Sequence, residues 1–179
     1  MEINALKFPI GKLKIPIEFS SEIISEYIHT IEKFPSELKS LSQSLSAKQL
    51  NWRYRPDGWK VKQVVHHCGD SHVNAYIRYK WTLTEDTPTI KAYNEASWAE
   101  LPDSRDDDLS TTLQFIHAVH GKWVNLLKTM EEDDFKKVFI HHEHGRKVSL
   151  ALNTAIYDWH CKHHLAHIKQ ALESKGAYN

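Results

Sequence analysis

Two cysteines, Cys68 and Cys161, are all that the 179 residues contain. That excludes a disulfide-built fold and matches a reducing cytoplasm, the expected location. Six glycines and six prolines form no linker, no phosphate-cradling glycine-rich loop and no nucleophile elbow. No apolar run approaches the roughly 18 residues that a membrane span needs, and Met1 to Phe8 has no apolar signal core. Net charge is also missing: 23 Lys and Arg balance 23 Asp and Glu. The basic field on which many nucleic-acid binders rely is therefore absent, and neither nucleic acid nor membrane is an expected partner. With 41% hydrophobic and 26% charged residues, the chain reads as one globular domain over 1–179.

The apolar periodicity is helical. Residues 1–19 alternate and carry Pro9 and Pro16, which predicts an extended arm on the surface. Ser20 and Ser21 offer an N-cap, and Ile23, Ile24, Tyr27, Ile28 and Ile31 repeat at helical spacing. Pro35 is expected to interrupt or restart this helix before it runs on to about Ser46. After the Arg55-Pro56-Asp57-Gly58 turn, a second helix is predicted over 60–84, with Val61, Val65, Cys68, Ala75 and Tyr79 inward. A long connection over 86–107 follows. The third helix is read from Leu109 to Met130. A short β-hairpin is expected between Lys136 and Ser149, turning near His144-Gly145. Ser149 caps a last helix that runs to about Lys175 and stops at Gly176. The expected fold is all-α, a four-helix bundle with an extended N-terminal arm and a short hairpin before the last helix.

What the chain has in excess is histidine, 13 residues, the commonest metal ligand among side chains. Four of them, His160, His163, His164 and His167, fall within the last predicted helix. His160 and His164 are four apart and share a face, and so do His163 and His167. Thirteen histidines produce about one such pair by chance, so spacing alone does not select a site. Helical phase leaves both pairs open. On the second helix, Gln63, Asp70, Ser71, Asn74 and Arg78 lie on the same side as His67 and form a polar stripe. His67 is the candidate third ligand there, whereas His66 points about 100° away. The tract His141-His142-Glu143-His144 reads as an exposed hairpin tip. It lacks metalloprotease spacing, because Arg146 stands where the second histidine would be. His117 and His120 could pair, but no partner from elsewhere is evident. Cys68 and Cys161 read as packing residues.

Several segments then carry a resemblance across nearly the whole chain. They are FPIG (Phe8 to Gly11), RPDGWKVKQVVHHCGDSHVNAYIRYK (Arg55 to Lys80), LTEDTPTIKAYNEASWAELPDS (Leu83 to Ser104), HGKW (His120 to Trp123) and WHCKHHLAHI (Trp159 to Ile168). Together they resemble the YfiT-type metal-dependent hydrolases of the DinB/YfiT-like superfamily. That resemblance implies a four-helix bundle with one divalent metal ion per chain; imidazole ligands suit zinc first and, by the affinity order, nickel second. Its ligands would be one histidine on the second helix and a His-x-x-x-His pair on the last. Matched residue by residue, these are His67, His160 and His164, with His163 and His167 as neighbours. Cys68 stands where a leucine is expected, and Cys161 and Lys162 vary the last segment, without removing a ligand.

Three neutral imidazoles leave coordination positions open, as in catalytic sites. The resemblance includes a thiol S-transferase that uses bacillithiol, so two chemistries are expected on one site: metal-dependent hydrolysis, or transfer of a low-molecular-weight thiol to an electrophile. The catalytic species would be metal-bound water or thiolate, with no catalytic side chain assigned. Asp70 and Asn74 are candidates to orient His67 or a water, and Arg78 to bind an acidic group of the thiol. The alternative function is a non-catalytic metal-binding stress-response protein. The expected partners are a small-molecule substrate and a second copy of the chain. The dimer expectation comes from the resemblance and from Trp52, Trp81, Trp98 and the arm as surplus apolar surface.

Overall fold

Ser20 caps the first long helix by accepting a hydrogen bond from the Ile23 amide on its hydroxyl, at 3.4 Å. The computed structural model describes residues 3–143 and 145–179. In chain order its helices are α1 (Ile3–Lys7), α2 (Ser21–Ser42), α3 (Ala47–Leu50), α4 (Val61–Thr84), α5 (Glu95–Trp98), α6 (Ser110–Leu127), α7 (Glu132–Lys136) and α8 (Leu150–Glu173). The strands are β1 (Thr89–Ile90), β2 (Val138–His141) and β3 (Arg146–Ser149), and a 3₁₀ turn spans Asp103–Arg105.

The four long helices form the bundle. α2 packs on α8 and α6, and α4 packs on α6 and α8. Their apolar stripes meet in a core that includes Ile31, Phe34, Leu38, Val65, Tyr79, Ile116, Trp123 and Ile168. Ser149 caps α8 by accepting from the Leu152 amide at 3.1 Å. Beyond the end of α8, Gly176 has φ +80°, and a Cβ there would collide with the Trp52 indole. Glycine is therefore required by conformation and by space. None of the described helices is long and apolar enough to cross a membrane.

Pro35 does not interrupt α2. The helix runs straight through it, and Pro35 is buried. The hydrogen bond that proline denies to the Ile31 carbonyl, four residues earlier, is replaced from outside the helix: His120 Nδ1 donates to Ile31 O at 2.6 Å. The N-terminal arm is extended only in part, because α1 precedes it and buries Leu6. The expected hairpin is present as antiparallel β2 and β3, with Val138 opposite Ser149 and His141 opposite Arg146. It belongs to a three-stranded sheet, since β1 pairs parallel to β2. The 86–107 connection is thus structured by β1, α5 and the 3₁₀ turn. α6 stops at Leu127, short of Met130. His144, at the expected hairpin tip, lies outside the described residues.

Candidate metal centre

α4 carries His67 in its second turn, and α8 carries His160 and His164 one turn apart. Packing of α4 on α8 brings the three rings together. One nitrogen from each lies within 4.8 Å of the others. His67 Nε2 and His160 Nε2 face each other at 3.3 Å. The His164 ring meets His67 at 4.9 Å and His160 at 4.3 Å between centroids, edge-on in both cases. His67 and His164 are buried and His160 partly so. Burial lowers the pKa of His67 to about 4 and holds His160 and His164 well below the usual histidine range. All three rings are therefore neutral at pH 7 and offer lone pairs.

This donor set fits a divalent ion. With zinc–nitrogen bonds of about 2.0–2.1 Å, two ligands of a tetrahedron stand about 3.3 Å apart, which is the separation of the His67 and His160 nitrogens. The buried Nδ1 of His164 has no hydrogen-bond partner, and neither does that of His163 or His167, so the fit to an ion rests on the spacing of the nitrogens.

The structure separates the two histidine pairs that helical phase left open. His163 stacks on Trp159 at 4.2 Å and lies 6.0 Å from the Phe8 ring. His167 stacks on Tyr54 at 3.8 Å, and its Nε2 donates to Lys7 O at 3.1 Å. That pair faces the N-terminal arm, while His160 and His164 face His67. His66 is engaged elsewhere, with Thr112 Oγ1 at 2.8 Å and Asp106 O at 3.1 Å. Cys68 and Cys161 are fully buried, and burial pushes both thiols up, so they pack rather than react.

Of the polar stripe beside His67, Gln63 and Ser71 are buried and Asp70, Asn74 and Arg78 half-buried. Gln63 Nε2 donates to Ala99 O at 2.7 Å and ties α4 to the segment that follows α5. Asn74 Nδ2 donates to Asp70 O at 2.8 Å, so its amide is turned to its own helix and not to His67. Burial, reinforced by Asp103, raises Asp70 to about 6. Arg78 lines a polar cavity of about 570 Å³ with Tyr93, Asn94 and Glu95. A larger cavity, about 970 Å³, is walled by α2, α6 and α7 and touches none of the three histidines.

Of four further residues around the rings, sequence patterning assigns no role to Tyr157 or His72, places Ser71 only within the polar stripe, and offers His120 only as a partner of His117. Ser71 Oγ lies 3.4 Å from His160 Nε2 and 3.1 Å from Tyr157 Oη, and Tyr157 Oη donates to Ser71 O at 3.0 Å. Tyr157 sits one turn before His160, a spacing that could have pointed to it. His72 and His120 are buried behind the site: His72 Nε2 is 3.0 Å from His160 Nδ1, and His72 Nδ1 is 2.7 Å from His120 Nε2.

Comparison with known proteins shows the family. The DinB superfamily matches residues 30–168. A Bacillus cereus protein described as "Putative metal-dependent hydrolase" is 45% identical over 166 residues, covering 93% of this chain and 95% of the relative. A Bacillus anthracis protein with the same description shares the same identity and coverage. Among solved structures, YfiT from Bacillus subtilis, "a probable metal-dependent hydrolase with an unusual four-helix bundle topology", superimposes with a TM-score of 0.92. It is 40% identical, over 96% of this chain and 98% of that one. In sequence and in bundle topology, this chain belongs to the DinB superfamily and groups there with YfiT.

Proposed function

We propose that the chain is a metal-dependent enzyme in which His67, His160 and His164 hold one divalent ion, zinc by preference. The observation that carries this reading is the convergence of three neutral imidazoles within 4.8 Å. Imidazole donors suit zinc and, by the order of divalent affinities, nickel. Three ligands leave room for a substrate, which favours a catalytic over a closed structural site.

An ion held there supplies Lewis acidity, which polarises a carbonyl and lowers the pKa of a coordinated water or thiol. The chain's own residues supply the rest. Asp70, one turn along α4 from His67 and raised to about 6, is matched to taking and returning a proton near neutrality at its carboxylate. The Ser71 hydroxyl, held by Tyr157, places a hydrogen-bonding group beside His160. Arg78, on the wall of the neighbouring polar cavity, is suited to an acidic group on the reacting molecule. Trp59, 4.7 Å from the His67 ring between centroids, shields that ligand from water.

Two reactions use this equipment: hydrolysis of an ester or amide, and transfer of a low-molecular-weight thiol to an electrophile. The test is one protein preparation, metal-loaded and metal-stripped, assayed against ester and amide substrates without thiol and against a chloro-aromatic electrophile with a thiol panel. We expect metal-dependent turnover in one arm. Turnover without thiol assigns hydrolysis, and turnover only with thiol assigns transfer. No rate above the metal-stripped control in either arm would refute the enzymatic reading.

A further inference from the structure

Behind His160 the bundle contains an unbroken line of ring nitrogens that uses all four long helices. It runs from the Ile31 carbonyl on α2 to His120 on α6, His72 on α4 and His160 on α8. The separations are 2.6 Å (Ile31 O to His120 Nδ1), 2.7 Å (His120 Nε2 to His72 Nδ1) and 3.0 Å (His72 Nε2 to His160 Nδ1). His72 is fully buried and His120 almost so. Phe34 lies against both rings, at 4.9 Å and 5.5 Å, and Trp123 lies 6.1 Å from His72 and 5.7 Å from His120. Little freedom remains for either ring to turn.

One end of this line has a fixed sense. A carbonyl only accepts, so His120 Nδ1 must carry the proton it shares with Ile31 O. Burial lowers His120 to about 4, so near neutrality it holds one proton and its Nε2 is bare. His72 Nδ1 must then be the donor to it, which leaves His72 Nε2 bare. His160 Nδ1 must in turn be the donor to His72, which leaves the lone pair of His160 on Nε2, the atom facing His67. The opposite order would set two lone pairs against each other across 2.6 Å at the Ile31 carbonyl.

Pro35 explains why this carbonyl is available. It has no N–H to give to Ile31 O, and its ring crowds that carbonyl away from the helix axis. The proline inside α2 thus supplies the acceptor on which the whole line is anchored.

We propose that Pro35, His120 and His72 form a one-way imidazole chain that locks His160 in the tautomer with its proton on Nδ1, so that Nε2 is presented bare to the ion. His72 and His120 are positioning residues: they act through His160 and touch neither ion nor substrate. The proposal rests on the reading of His160 as a ligand. A hydrogen bond to the far nitrogen of a metal-bound histidine sets which nitrogen binds, and loss of such a partner typically costs 10–100-fold in metal affinity. Here the partner is itself a histidine, ordered by a second histidine and a backbone carbonyl.

The test has two independent readouts on the full-length chain. The first is a long-range ¹H–¹⁵N correlation spectrum of the ¹⁵N-labelled protein at pH 7.5, zinc-loaded and after chelation, which distinguishes protonated from bare ring nitrogens. We expect His72, His120 and His160 all to carry their proton on Nδ1, with and without zinc. A proton on Nε2 of any of the three in the metal-stripped, folded protein overturns the proposal. The second is zinc affinity by competition with a chromophoric chelator. His72→Leu should weaken it 10–100-fold and His120→Leu about tenfold. His72→Gln should recover most of the loss, because its amide oxygen can accept from His160 while its NH₂ donates to His120. The exposed His117→Ala should match wild type. A folded His120→Leu protein with unchanged zinc affinity also overturns the chain. If wild type binds no zinc, the ligand reading itself has failed, and the spectrum of the metal-free protein shows separately whether the proton order exists.

Discussion

Acidification of the metal-free protein is the perturbation for which the structure gives a magnitude. His67 and His120 are 3% and 2% exposed, and burial holds each at about 4, against about 6.5 in an unfolded chain. Between these values the unfolded state binds more protons than the folded state. Stability therefore rises with pH across this window: it is full above about 6.5 and is lost as the pH falls toward 4. At pH 5 each of the two imidazoles removes about 2 kcal/mol relative to pH 7.5, or about 4 kcal/mol together. His163 at about 4 and His167 at about 3 act in the same direction, and so do His72, His160 and His164, all held low by burial. Asp70, raised to about 6, opposes them, but by less because it is half-buried. A loss of this size is comparable with the whole stability of a domain, about 5–15 kcal/mol. The assay is urea unfolding followed by far-ultraviolet circular dichroism, with chelator present, at half-unit steps from pH 7.5 to 5. We expect the unfolding midpoint to fall steeply below pH 6.5. In His120→Leu the difference in stability between pH 7.5 and pH 5 should shrink by about 2 kcal/mol, whatever that substitution costs at neutral pH. A midpoint that is flat from pH 7.5 to 5, or a His120→Leu profile parallel to wild type, would refute the claim that these rings are buried neutral.

Asp70→Asn should lower turnover in whichever reaction is found while leaving zinc affinity within a few-fold, and should abolish an acid limb near pH 6 in the pH–rate profile; an unchanged profile removes Asp70 as proton carrier. Gly176→Ala should destabilise the fold by about 1–2 kcal/mol in urea melts, because it meets both a left-handed backbone and the Trp52 indole; a smaller effect would mean that the turn after α8 yields. Light scattering at micromolar concentration should give the mass of an isologous homodimer, with exposed Trp81 and Trp98 as candidate contacts, and a monomer mass would rule it out. Trp52 is no longer a candidate, since it packs on the core and against Gly176.

Legibility in the sequence tracked periodicity. The four long helices announce themselves through repeated apolar positions and through Ser20 and Ser149 as caps, and their ends lie within a few residues of expectation. α1 and β1, of five and two residues, are too short for any period to show. The rule that proline breaks a helix fails at Pro35 because it assumes that the orphaned carbonyl finds no other donor, and the donor here is 89 residues away. Spacing plus family resemblance points to His67, His160 and His164; spacing alone does not separate His160 and His164 from His163 and His167, whose different surroundings depend on where the N-terminal arm lies. His72 left no local signal, having no histidine three or four residues away on its helix. Its partners come from α6 and α8, and only tertiary packing brings them to it.

The central claim is that His67, His160 and His164 together hold one divalent ion. Zinc titration against a competing chelator, on untagged wild-type protein and on the single alanine variants of His67, His160, His164 and His163, measures it directly. We expect one ion per chain in wild type, affinity lost by more than about 100-fold in each of the first three variants, and near-wild-type binding in His163→Ala. Retained binding in His164→Ala together with loss in His163→Ala, or no stoichiometric binding by wild type, would contradict it.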